Sequence, residues 1–248
     1  MWSHFGTALS FLTLFRLPFT SPRTLTPQEL AESFSFFPLV GLILGFCYAL
    51  PARALSAVVP SLLLAVAITA LTAVLTRALH LDGLADLADG VGGGYNPERR
   101  LEIMKDSRTG AFGALAIALA VAFKVAALDA VIRAEAFLPL LLVPVVSRLA
   151  MVLAAYRSPY ARKEGGLGKP FLEHIARRHL LTALGLTAVS AFLVQPVFGL
   201  CALALAAGTV PAFRLLCRRW LGGMTGDALG ALNEIVEVLL LSAAACMY

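Results

Sequence analysis

Apolar residues run in long blocks along this chain, and the short stretches between them carry most of its charge. Blocks of this length that stay apolar on every side predict helices surrounded by protein or lipid. Seven of them, at roughly 34–50, 58–79, 111–132, 137–156, 180–195, 198–216 and 229–247, predict membrane spans. Several lie near the short limit for crossing a hydrocarbon core of about 30 Å, so six spans is the alternative. Segment 4–17 predicts an interfacial or short leading helix, stopped by Pro18 and Pro22. No basic residue precedes Phe5–Phe15 and no small-residue cleavage site follows, so no cleavable signal is expected. The expected fold is all-α: a polytopic transmembrane helix bundle forming one integral-membrane domain over 1–248.

Composition agrees. Hydrophobic residues make up 59% and charged residues 14%, with a mean hydropathy of +0.84, against about a quarter charged in a soluble domain. The cations are distributed unevenly. Arg16 and Arg23, then Arg77, Arg99, Arg100, Lys105 and Arg108, then Arg157, Arg162, Lys163, Lys169, Arg177 and Arg178, then Arg214, Arg218 and Arg219 all fall on one side of a seven-span topology. The other side has Arg53 and Arg133, while Lys124 and Arg148 lie inside spans. The positive-inside rule then puts the N-terminus in the cytoplasm and the C-terminus outside. The net charge of +5 follows from this topology and from anionic substrates, and calls for no nucleic acid. Cys47, Cys201, Cys217 and Cys246 lack CxxC spacing and sit in or beside apolar segments, which predicts packing roles.

The most informative polar segment runs from His80 to Gly90. If the preceding stretch continues as a helix, Asp82, Asp86 and Asp89 share one face within a little over two turns. Three like charges so close repel one another, and a Mg²⁺ ion converts that repulsion into binding. A solvated acidic turn at a helix end is the plain alternative. A second acidic face, Asp227, Glu234 and Glu237 with Gly230 as a gap, runs into the last span beside Asn233. A carboxylate at mid-membrane depth costs about 2.5–3.5 kcal/mol, so such residues face a bundle interior, a cavity or a partner. A structural hydrogen-bond network is the competing reading.

The cytoplasmic loops supply cations. Arg99, Lys105, Asp106, Ser107 and Arg108 precede the third span, after three consecutive glycines. Lys105 and Arg108 suit phosphate oxygens, although they equally suit a positive-inside anchor. Ser107 has helix capping as its alternative role, and Asp106 has pairing with Lys105 or Arg108. Arg162 and Lys169 flank a second glycine-rich loop. Two acidic faces opposite such loops suggest metal-assisted phosphoryl transfer: carboxylates hold Mg²⁺, cations neutralise phosphate, and one carboxylate deprotonates a hydroxyl. Residue chemistry names neither the alcohol nor the leaving group. A cation- or proton-coupled transporter is the rival class; no internal repeat supports it, and the acids gather at one side of the membrane.

Resemblance goes further. The strings HLDGLADLADG at 80–90, RRLEIMKDSRTGAFG at 99–113, FFPLVGLILG at 36–45 and GGMTGDALGALNEIVE at 222–237 together resemble the cobalamin synthase (adenosylcobinamide-GDP ribazoletransferase) family, as do FLTLFRLPF at 11–19 and YARKEGGLG at 160–168. The resemblance spans nearly the whole chain in the family's order. It implies a Mg²⁺-dependent enzyme of the bacterial or archaeal inner membrane that joins adenosylcobinamide-GDP to α-ribazole or its 5′-phosphate and releases GMP. On this reading Asp82, Asp86, Asp89 and Asp227 hold the metal, and Asp89, Glu234 or Glu237 act in catalysis. His80, Arg99, Lys105, Asp106, Ser107, Arg108, Arg162, Lys169 and Asn233 contact substrate, with His80 also able to orient a carboxylate. Other enzymes of the cobalamin pathway are expected partners at the basic face.

Overall fold

The computed structural model describes residues 2–16, 26–166 and 168–248. Pro18, Pro22, Arg23 and position 167, used above, lie outside them. Among the described residues there are twelve α-helices and no strand: α1 (Trp2–Leu12), α2 (Pro27–Ser33), α3 (Phe37–Leu55), α4 (Ser61–Leu75), α5 (Leu79–Gly93), α6 (Pro97–Ile103), α7 (Ala111–Arg133), α8 (Leu138–Ala155), α9 (Lys169–His174), α10 (Arg177–Val194), α11 (Pro196–Leu221) and α12 (Gly226–Met247). The expectation of an all-α polytopic bundle holds.

Helix α8 is the centre, buried on nearly every side. Helix α3 crosses it closely, because Gly41 and Gly45 present no side chain: a Cβ at either would stand 2.8 Å from the Cα of Val145 or Leu141. Pro144 interrupts the hydrogen bonding of α8, and the Ser147 hydroxyl donates to its carbonyl at 3.1 Å. Helix α12 packs on α8, α7 and α5, while α10 and α11 close the other side of α8. Large apolar residues such as Phe123 on α7, Phe192 on α10 and Leu200 on α11 stay exposed, as lipid-facing surfaces require.

Five helical stretches are long and apolar enough to cross a membrane: Pro27–Leu55, Ala111–Arg133, Leu138–Ala155, Pro196–Leu221 and Gly226–Met247. A sixth exists if α4 and α5 count as one bent span. Each of the seven expected blocks contains a helix, but α10 falls short because Arg177, Arg178 and His179 occupy its first turn.

Helix α4 does not continue into the acidic segment. Arg77 and Ala78 adopt left-handed φ of 54° and 52°, and α5 departs at 89° to α4. The Arg77 guanidinium donates to the carbonyls of Ser10 and Phe11 at 3.1 and 2.9 Å, and Leu14 N–H donates to the Leu75 carbonyl at 2.8 Å. A cation on the free carbonyls of α1 is a favourable helix C-cap. It secures the bend and lays α5 across one end of the bundle.

Candidate active site

The first half of α5 rests on α12, and two glycines set the spacing. A Cβ on Gly83 would stand 2.7 Å from the Asp227 carbonyl, and one on Gly230 would stand 3.3 Å from the Cα of His80. The crossing therefore brings the acids of α5 beside the first turn of α12. Asp82 is exposed, Asp86 half-buried and Asp89 buried. Burial, with the charges of Asp227 and Asp82 nearby, pushes the Asp86 carboxyl up to about 7, and Arg162 opposes them only in part. Arg162 reaches Asp227 at 2.6 Å and the Met104 carbonyl at 3.3 Å. An isolated bridge places it there, with Ala161 N–H donating to the Met224 carbonyl and Met224 N–H to that of Pro159, both at 2.9 Å. Thus Asp82, Asp86, Asp227 and Arg162 form one cluster. Among the described residues no three metal-binding side chains converge on a single point as they stand.

Asp89 is drawn elsewhere. Its two carboxylate oxygens accept from Gly110 N–H at 2.6 Å and Gly113 N–H at 2.8 Å, at the start of α7. An anion on the free amides of a helix N-terminus stabilises that helix. Helix α7 is thus capped by Asp89, not by Ser107, which lies before the Gly110 N-cap.

Glu234 and Glu237 also lie apart from the aspartates, about two to three turns deeper along α12 than Asp227. Lys124 of α7 contacts both at 2.6 Å, and Arg148 of α8 contacts Glu237 directly. Tyr48 of α3 donates to Glu237 at 3.2 Å. Two carboxylates and two cations form a compensated, buried network joining α3, α7, α8 and α12. Sequence reasoning left Lys124 and Arg148 unused. The available signal was that a cation inside an apolar span needs a partner, and both partners were already in hand.

Asn233 joins the two regions. Its Nδ2 donates to His80 Nδ1 at 3.2 Å and faces Glu234 and Glu237 at 3.4 Å each. His80 Nδ1 is therefore the acceptor and Nε2 carries the proton. Burial, reinforced by Arg148, pushes His80 down to about 3, a neutral imidazole. His80 Nε2 has no hydrogen-bond partner.

The loop cations sit at the same end of the bundle, mostly exposed and paired: Lys105 with Glu164 at 2.7 Å, Arg108 with Asp106 at 2.7 Å, Arg99 with Glu102 at 2.7 Å and Lys169 with Glu173 at 3.8 Å. Arg108 holds the Asp106 carboxyl down at about 2. Exposed pairs are worth about 0–1 kcal/mol, so an arriving phosphate exchanges them at little loss. An open cleft of about 690 Å³ runs along Asp89, Arg99, Asp106 and Arg108. A narrower cavity of about 150 Å³ lies on the other side, touching His80, Asp82 and Asp227.

Fold and site define a polytopic membrane protein with an acidic, arginine-flanked polar site at one end. The chain belongs to the cobalamin-5-phosphate synthase family, which it matches over residues 4–245, and it is a transferase. It is 98% identical over 248 residues, all of both chains, to the adenosylcobinamide-GDP ribazoletransferase of Syntrophobacter fumaroxidans. It is 41% identical to the protein of that name from Desulforamulus reducens, covering 96% of this chain and 94% of the relative. With that of Chlorobaculum parvum the figures are 43%, 88% and 91%. No solved structure matches it.

Proposed function

We propose that this chain transfers the adenosylcobinamide phosphate from adenosylcobinamide-GDP to a ribose hydroxyl of α-ribazole or its 5′-phosphate. The single observation that carries the reading, beside the relatives' names, is the cluster of Asp82, Asp86 and Asp227 with Arg162 against it. In the reaction the ribose oxygen attacks the cobinamide-side phosphorus, its proton passes to a carboxylate of the cluster, and the bond to GMP breaks. Asp82, Asp86 and Asp227 would hold Mg²⁺. These hard oxygen donors and the raised Asp86 carboxyl fit a divalent cation, which when bound supplies neutralisation of phosphate charge. Arg162 orients Asp227 and meets a phosphate oxygen, while Arg99, Lys105, Arg108 and Lys169 guide the pyrophosphate in. Asp89 serves by fixing α5 against α7, and Glu234 and Glu237 by holding α12 in the bundle, rather than as the base. The clustering of loop cations at this end favours a cytoplasmic site and N-terminus, in the inner membrane of the cell.

The test is direct. Purified protein in vesicles, given adenosylcobinamide-GDP, α-ribazole and Mg²⁺, is expected to release GMP. Substrate uptake into the vesicles without GMP would point to a carrier instead.

A further inference from the structure

The cavity beside Asp82 and Asp227 has walls unlike the rest of the site. Phe11, Phe34, Phe37 and Phe171 surround it, with ring centroids 4.4 Å apart for Phe34–Phe37, 4.6 Å for Phe34–Phe171 and 5.0 Å for Phe11–Phe171. The aromatic walls, apart from the two carboxylates, fit neither a phosphate nor a metal ion. The cavity's volume of about 150 Å³ is that of a cavity able to take a benzene-sized ring. Besides the carboxylates of Asp82 and Asp227, the lining contains one other polar side chain. His80 lines the cavity, is 2% exposed, and its Nε2 has no partner. Asn233 occupies Nδ1 as donor, so Nε2 bears a hydrogen with nowhere to place it. A buried donor left unmade costs about 1–3 kcal/mol, which a ligand acceptor recovers.

We propose that this cavity seats the planar aza-aromatic base of the nucleoside acceptor, with His80 Nε2–H donating to the base's unsubstituted ring nitrogen. The inference rests on the ribazole acceptor proposed above. A benzimidazole is flat and apolar and has one such nitrogen. Its benzo end lies against the wall of phenylalanine rings, whose offset and tilted arrangement favours further aromatic contact. The ribose then emerges at the mouth, where Asp82 and Asp227 stand. Recognition of the base and placement of the attacking hydroxyl are thus one event. Asn233 contributes as a positioning residue, because its donation fixes the His80 tautomer.

The experiment compares two nucleosides on full-length protein in lipid nanodiscs with Mg²⁺ and adenosylcobinamide-GDP: α-ribazole, and its analogue with the free ring nitrogen replaced by C–H. The wild type is expected to use the carbon analogue with roughly tenfold lower kcat/KM. His80→Leu should treat the two alike within about twofold. Phe11→Leu, at a half-buried wall position, should raise KM for α-ribazole about threefold to tenfold with KM for adenosylcobinamide-GDP unchanged. It also carries the test if His80→Leu fails to fold. Undiminished discrimination in His80→Leu, or an equal KM rise for both substrates in Phe11→Leu, overturns the base pocket while GMP release leaves the transfer reading standing. No GMP with either nucleoside overturns the transfer reading itself.

Discussion

Two acidic regions lie on one helix, and they differ in what faces them. Along α12, Asp227 meets Asp82 and Asp86 with Arg162 as the cation that reaches it, whereas Glu234 and Glu237 meet Lys124 and Arg148 in a buried, balanced network. Opposite charges matched inside a span build architecture. Like charges gathered at a membrane end, against fewer cations, remain available to a ligand. On the proposed reading, the same residue types at the same helical spacing divide into scaffold and site according to their partners.

The most damaging single change should be Lys124→Met, which leaves two buried carboxylates facing Arg148 alone. Removing one partner of a buried pair costs about 3–5 kcal/mol, seen as a large fall in thermal midpoint in nanodiscs. Asp86→Asn should do the reverse: folding unimpaired, since a repulsion is relieved, with transfer slowed by about 100-fold or more as GMP release reports. Asp89→Ala, which uncaps α7, should lower stability by about 1–2 kcal/mol, and a denaturation curve reads this against the near-neutral Asp86→Asn. The smallest effect is a pH dependence. Asp86 in the folded, metal-free protein titrates near 7, above its ordinary 3.8, so its contribution opposes folding as pH rises between those values. With EDTA the thermal midpoint should rise as pH falls from 8 to 5, and saturating Mg²⁺ should flatten that rise.

Much of this was legible in the chain. The apolar blocks announced a polytopic bundle, and helical spacing put Asp82 and Asp86 on one face; that Asp227 joins them comes from the close crossing of α5 and α12 at Gly83 and Gly230. What stayed hidden depends on tertiary partners. The bend at Arg77 and Ala78 arises from capture by the end of α1, with no proline or glycine to mark it. Asp89 looks equivalent to its neighbours until α7 offers it two amides. The pairing of Glu234 and Glu237 with Lys124, more than a hundred positions earlier, likewise comes only with the fold.

The central claim is that Asp82, Asp86 and Asp227 bind a divalent cation and the buried glutamates do not. Electron paramagnetic titration of Mn²⁺ into the nanodisc-held protein measures this without substrate. The account predicts one bound ion in the wild type, competed by Mg²⁺, weakened at least about tenfold in Asp86→Asn and retained in Glu234→Gln. Full retention in Asp86→Asn, or loss confined to Glu234→Gln in a folded protein, would contradict it.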